Sequence, residues 1–297
     1  MLKKVDFFKL SIYLSIPFLL WVLYTFDYLI IPQIVDFWSL TLSLLFLFLG
    51  FILMCENWRI VLKYDTIVDL SKKESIISCG LPIFTKYIPG KLLTIFSRAL
   101  YVQKKYDTPL KTLTFISLKT QFISLWFGLL IGSVIIFEVG LSIWLKILAV
   151  VFFIVIFIFL FSKNFRRMLI YSINKVFKKN IDYPVIKAKD VLKLFPSFLL
   201  NWFFWCLGFY FLCQSILTYN ISISVGLSFA LASVIAILAI VAPGGIGVRE
   251  GILLSMLIAL GVDKQNAITI SIVSRLWFLV GETFIFLLGS FLNYRQK

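Results

Sequence analysis

The sequence has no histidine. That removes a histidine general base and histidine-ligated zinc from the chemistry open to it. Its four cysteines, Cys55, Cys79, Cys206 and Cys213, lie in or near apolar runs with no paired spacing, so they read as small buried hydrophobes rather than a disulfide framework. Charge is also scarce, at 14% of residues. No glycine-rich loop ending in Gly-Lys-Ser or Gly-Lys-Thr is present, which leaves no phosphate cradle for a nucleotide. No polar stretch is long enough for a separate soluble domain, and the composition gives no reason to expect a cofactor or a metal.

What fills the chain is hydrocarbon. Of 297 residues, 61% are hydrophobic, and the mean hydropathy is +1.01. These values lie far outside those of soluble domains. Several runs are long enough to cross a bilayer core. The expected fold class is all-α: a polytopic integral membrane protein forming one membrane domain over residues 1–297. The net charge of +15 sits in the connections between apolar runs, a pattern that suits anionic lipid headgroups rather than nucleic acid.

Six full spans are expected: Leu10–Ile31, Phe37–Trp58, Leu110–Phe137, Leu141–Phe161, Phe195–Leu217 and Ile268–Phe291. The first is too long for a typical signal-peptide core and has no small-residue cleavage site after it, so it reads as a permanent span. Two further apolar stretches are interrupted. One, 75–106, is broken by Pro82 and by Pro89-Gly90-Lys91. The other, 222–260, is broken by Pro243-Gly244-Gly245-Ile246-Gly247. Proline removes a backbone donor and glycine loosens a helix. Backbone groups freed at membrane depth must be buried against protein or face a wet cavity. Both stretches therefore read as re-entrant helical hairpins.

Basic connections cluster on one side. The N-terminus, the connection after Trp58, Lys104–Lys111, the strongly basic connection 162–194 and the C-terminus all fall there. The positive-inside rule makes that side, and both termini, cytoplasmic. The order span, broken hairpin, span then occurs twice, over 37–137 and 195–291, in opposite orientations. This layout resembles the inverted repeats of secondary transporters, where discontinuous helices mark the substrate site.

Charges inside hydrocarbon are costly and usually face a partner or a cavity. The candidates are Lys91, Arg98, Arg249, Glu250, Arg275 and Glu282. Four cations against two acids leave positive charge in surplus beside half-helix termini, an arrangement suited to phosphate. The arginine fork suits it especially, because it can bind two oxygens. Arg275 and Glu282 are seven residues and about 10.5 Å apart along one helix face, so each is expected to pair across the bundle instead. The alternative is a purely structural network that holds helices together.

These motifs resemble a known family. Pro243-Gly244-Gly245-x-Gly247-x-Arg249-Glu250-Gly251, Tyr87-Ile88-Pro89-Gly90-Lys91 followed by Arg98, and Arg275-Leu276-Trp277 are similar, in that order, to conserved patches of the lysylphosphatidylglycerol synthase transmembrane-region family. The resemblance implies a membrane domain that moves lipids between leaflets of a bacterial or archaeal cytoplasmic membrane. In two-part relatives an attached synthase makes the lipid. Here no synthase domain accompanies the motifs, so the partner it implies is a separately encoded lipid-synthesising enzyme. The expected function is a flippase, not an enzyme, for a phosphate-bearing envelope lipid: a polyprenyl-phosphate-linked sugar or a phospholipid. The substrate-binding positions would be Lys91, Arg98, Arg249, Glu250, Arg275 and Glu282, and the helix breaks Pro89, Gly90, Pro243, Gly244, Gly245 and Gly247. A lipid-phosphate-processing enzyme and an accessory subunit of an envelope-lipid assembly complex are the alternatives.

Overall fold

The computed structural model describes residues 17, 24–25, 32–88, 92–140, 143–162, 188–239, 245 and 247–295. The expected span Leu10–Ile31, the break Pro89-Gly90-Lys91, most of the basic connection 162–194, Pro243 and Gly244 lie outside the described residues. Among those described, the regular structure is entirely helical. In chain order it comprises α1 (Phe37–Asp65), α2 (Lys72–Gly80), a 3-10 turn (Ile83–Tyr87), α3 (Leu92–Tyr106), α4 (Leu110–Glu138), α5 (Ile143–Phe161), α6 (Ala188–Ile216), a second 3-10 turn (Ile223–Gly226), α7 (Leu227–Leu238), α8 (Val248–Ala259) and α9 (Lys264–Tyr294).

Length sorts these helices into two kinds. Four helical stretches, Phe37–Asp65, Leu110–Glu138, Lys193–Ile216 and Lys264–Tyr294, are long and apolar enough to cross a membrane. The 19 residues of α5 occupy the place of a further expected span. Its exposed Trp144, Ile147, Val150, Ile154 and Ile158 form a surface compatible with lipid. By contrast α2 has 9 residues and α7 and α8 have 12 each. At 1.5 Å per residue they reach about 14–18 Å, half of a hydrocarbon core of about 30 Å. The short helices fall in the two stretches that proline and glycine interrupt.

Local chemistry sets the helix ends. Asp36 caps α1, accepting hydrogen bonds from the Trp38 amide (2.9 Å) and the Ser39 hydroxyl (2.6 Å). Asp263 caps α9 through the Asn266 amide at 3.0 Å. Ser71 and Glu74 form a reciprocal capping box at the start of α2. Burial raises the Glu74 pKa, but Lys105, Ser71 and Tyr106 outweigh it and hold the carboxyl at about 2. Helix α1 runs past the expected end at Trp58 as far as Asp65. Its polar tail stays helical because its charges are paired: Arg59 with Glu56, Lys63 with Asp69 at 2.9 Å, and Asp65 with Lys119 of α4 at 2.7 Å. The Lys119 side chain is 1% exposed.

Helices α1 and α6 form the centre. Val35 N–H donates to Ser215 O at 2.8 Å. The Ser43 hydroxyl donates to Gly208 O at 2.7 Å. Asn201 Nδ2 donates to Gly50 O at 2.9 Å. One number rises as the other falls, so the two helices run antiparallel. Small residues admit the close approach: a Cβ on Gly50 would lie 2.4 Å from the Trp205 indole, and one on Gly208 would lie 3.3 Å from Leu47 N. Asn201 thus bonds across helices, whereas Gln214 approaches Tyr210 of its own helix. The four cysteines are buried free thiols.

The remaining contacts respect the two units. Helix α2 packs on α9, and its counterpart α7 packs on α4. The first limb of each hairpin therefore leans on the last helix of the other unit. Helices α3 and α8 each pack on the long helix that follows them. Backbone meets backbone in these crossings. A Cβ on Gly80 would sit 2.3 Å from the carbonyl oxygen of Ile285, which no rotamer change relieves. Gly80→Ala is expected to destabilise by about 1–3 kcal/mol through overpacking, read as a lowered melting midpoint in detergent. Gly140→Ala, where a Cβ meets nothing within 4 Å, should melt like wild type.

Candidate functional site: a buried charge cluster at the second helix break

The second break requires glycine. Gly245 and Gly247 have φ of +73° and +79°, a region that residues with a Cβ avoid. Helix α8 starts directly after Gly247. Glu250 lies in its first turn and accepts a hydrogen bond from Gly247 N–H at 2.8 Å through Oε2. That contact fixes the turn and holds both Arg249 and Glu250 inside, 5% and 8% exposed.

Two other elements complete the cluster. From the middle of α9 come Arg275 and Glu282, 3% and 0% exposed. From the 3-10 turn of the first hairpin come Lys86 and Tyr87. Lys86 Nζ forms an ion pair with Glu282 Oε1, and the Tyr87 hydroxyl donates to Glu282 Oε2 at 2.8 Å. Glu250 Oε1 stands between the two arginines, 3.6 Å from Arg249 Nη2 and 3.8 Å from Arg275 Nη1. These are ion-pair distances, too long for hydrogen bonds.

Aromatic faces hold the cations apart. The Arg249 guanidinium lies 5.4 Å from the centroid of Phe278 and 5.6 Å from that of Phe229. The Arg275 guanidinium lies 5.2 Å from Tyr87, and Lys86 Nζ 5.1 Å from Phe278. Such contacts offset part of the cost of burying positive charge. Among the described residues, the three cations Lys86, Arg249 and Arg275 face the two carboxylates Glu250 and Glu282, a surplus of one positive charge. Arg249 Nε and Nη2 and Glu250 Oε1 are buried and have no hydrogen-bond partner among the described residues. Buried polar groups are rarely left so, and each such group calls for a reason.

The structure brings together four of the residues singled out in the sequence: Arg249, Glu250, Arg275 and Glu282. The cross-bundle approach of Arg275 to Glu250 is present. Glu282 instead faces Lys86 and Tyr87, which sequence reasoning did not pick out as site residues. Arg98 does not join the cluster. Its guanidinium stacks 4.4 Å from the Trp58 ring centroid and donates to Ser117 Oγ at 2.7 Å and to Ser117 O at 3.0 Å. Lys91 lies outside the described residues. The signal for Lys86 was a lone cation three positions before Pro89 in an otherwise apolar run. The Pro-Gly-Lys motif beside it drew the assignment to Lys91.

Comparison with curated proteins and with solved structures finds no match in either. A family model does match, the one described as the lysylphosphatidylglycerol synthase TM region, over residues 8–289. That interval holds both interrupted stretches, the central helix pair and every member of the charge cluster. It covers nearly the whole chain, which therefore belongs to the lysylphosphatidylglycerol synthase transmembrane-region family.

Proposed function

We propose that the protein moves a phosphate-bearing envelope lipid between the leaflets of a cytoplasmic membrane. One observation carries this reading: a buried cluster with positive charge in surplus, and with Arg249 Nε and Nη2 lacking a hydrogen-bond partner, among the described residues at the junction of two broken hairpins. A network serving only stability has no use for uncompensated charge, since desolvation makes each unpaired ion expensive. A phosphate oxyanion supplies both the missing charge and the missing acceptors, and arginine meets it with two parallel donors. The headgroup passes Arg249 and Arg275 while its acyl or isoprenoid tail remains in lipid. The protein acts as a transporter and not an enzyme. The lipid comes from a separately encoded synthesising enzyme on the cytoplasmic side, where both termini lie.

Four of the five charged members are 8% exposed or less as residues, and the Lys86 side chain, at 28%, is the most open. The cluster is closed, and its accessible edge is at Lys86. A headgroup therefore has to part the hairpins to reach Arg249, a motion the short α7 and α8 are built to permit.

The test is mass spectrometry of lipid that co-purifies in mild detergent. Wild type should retain one phosphate-bearing species, and Arg249→Ala should lose it. In liposomes, flipping of that lipid should fall in parallel. The same bulk lipid mixture in both proteins would sink the proposal. Turnover of a lipid phosphate by the purified protein would replace transport with chemistry.

A further inference from the structure

Glu250 is in an unusual position for a salt-bridge partner. Its Oε2 is committed to the backbone, capping Gly247 N–H at 2.8 Å. Its Oε1 sits between Arg249 and Arg275 at 3.6 and 3.8 Å, buried and without a hydrogen bond from any described residue. Two guanidiniums thus share one carboxylate oxygen at a separation that neutralises charge without forming a bond. Had the pair evolved for stability alone, the fork of either arginine would close on the carboxylate in two parallel contacts of about 2.7–2.9 Å. Glu282, on α9, shows what a committed carboxylate looks like here, with Lys86 and the Tyr87 hydroxyl directly on its two oxygens.

We infer that Glu250 is a placeholder for the lipid phosphate: its carboxylate occupies the arginine site when the site is empty, and the phosphate displaces it. The inference rests on the transport reading above and assigns the step by which that site is loaded and cleared. A phosphate oxygen entering between Arg249 and Arg275 offers the short acceptors that Glu250 Oε1 does not. The displaced carboxylate is still tethered to the first turn of α8, so its movement pulls on the Gly247 cap and on the glycine pair at the break. Binding is in this way coupled to the geometry of the second hairpin. On the return step the carboxylate competes with the departing phosphate and expels it. A site of this kind is deliberately weak in binding and fast in exchange, because a transporter that holds its cargo tightly does not release it.

Removing the charge while keeping the cap separates the two roles. Glutamine still offers an acceptor to Gly247 N–H, as it does in capping boxes. Full-length wild type, Glu250→Gln and Arg249→Ala are compared for phosphatidylglycerol binding by native mass spectrometry and for flipping of the same lipid in liposomes. Glu250→Gln is expected to bind phosphatidylglycerol about tenfold more tightly, the equivalent of one pK-sized step in affinity, and to flip it more slowly. Glu250→Asp keeps the charge and disturbs the cap. It should not tighten binding, and it provides the comparison should glutamine impair folding. Unchanged or weaker binding in Glu250→Gln overturns the inference, as does a gain seen for inorganic phosphate but absent for the lipid. The two readings fail separately. If Arg249→Ala keeps its lipid, the site itself is misassigned. If Arg249→Ala loses its lipid and Glu250→Gln gains nothing, only the placeholder is wrong.

Discussion

Replacing Glu282 with alanine is expected to destabilise the protein by about 3–5 kcal/mol, the range for removing one partner of a buried ion pair. Glu282 is 0% exposed and meets Lys86 and the Tyr87 hydroxyl. Without it the basic groups Lys86, Arg249 and Arg275 are left with Glu250 as the one carboxylate among the described members of the cluster. Three basic groups then face one acid in a region of low dielectric, which either leaves charge unpaired or forces a proton off, and both cost stability. The phenolic hydroxyl of Tyr87, 1% exposed, also loses its acceptor. Because α9 carries Glu282 and the 3-10 turn carries Lys86, the lost contact unpins the first hairpin from the second unit. The melting midpoint in detergent should fall by roughly 10 °C. The partner substitution identifies the cause. Lys86→Met combined with Glu282→Leu removes both charges, and should recover most of the loss, since replacing a whole buried pair with apolar groups is often neutral. A single variant that melts like wild type would show that the pair is not desolvated as described.

The sequence carries much of this architecture in plain form, and the reason is energetic. Hydrocarbon tolerates neither free backbone groups nor lone charges, so Pro243 with its glycines, and Arg249, Glu250, Arg275 and Glu282, stand out against apolar surroundings without any knowledge of the fold. What the sequence does not encode locally is where a charge finds its partner. Arg98 is half-buried and hydrogen-bonded by Ser117 beside Trp58, whereas Arg249 is buried and its Nε and Nη2 find no hydrogen-bond partner among the described residues. That difference depends on how α1, α3 and α4 meet, a tertiary fact. Lys119 shows the same limit. It lies in the middle of an apolar span, reads as unremarkable beside the helix breaks, and is fully satisfied by Asp65 on the extended tail of α1. That tail, Arg59 to Asp65, continues the helix beyond Trp58, where the expected span ends. Pairing between helices overrode composition. Lys86 was obscured for a third reason. A 3-10 turn rotates side chains by a different angle from an α-helix, so which face Lys86 joins follows from a turn type that periodicity does not reveal.

The contrast between the two arginines gives the second large effect, as a double dissociation. Arg98→Ala should lower stability and leave lipid selectivity intact, while Arg249→Ala should abolish selective lipid retention and leave stability nearly intact. Arg98 makes three hydrogen bonds to Ser117 and stacks on Trp58, so truncation forfeits charged hydrogen bonds worth about 1.5–3 kcal/mol apiece before relaxation. It also uncouples α3 from α4. Arg249 is the opposite case. Its removal leaves Lys86 and Arg275 against Glu250 and Glu282, two cations against two carboxylates, so the described cluster becomes charge-balanced and the protein loses no hydrogen bond from Arg249 Nε or Nη2. The same truncation takes from a bound phosphate its two-point donor. Losing one partner of a desolvated charged contact costs about 2–5 kcal/mol, which corresponds to a fall in lipid affinity and flipping of about 30-fold or more. Melting curves and co-purified lipid, measured on both variants from one preparation scheme, read the two axes independently. If Arg98→Ala sheds its lipid at wild-type stability, the binding site extends to the first hairpin. If Arg249→Ala melts far below wild type with its lipid retained, the cluster is a structural network and the surplus charge serves no ligand.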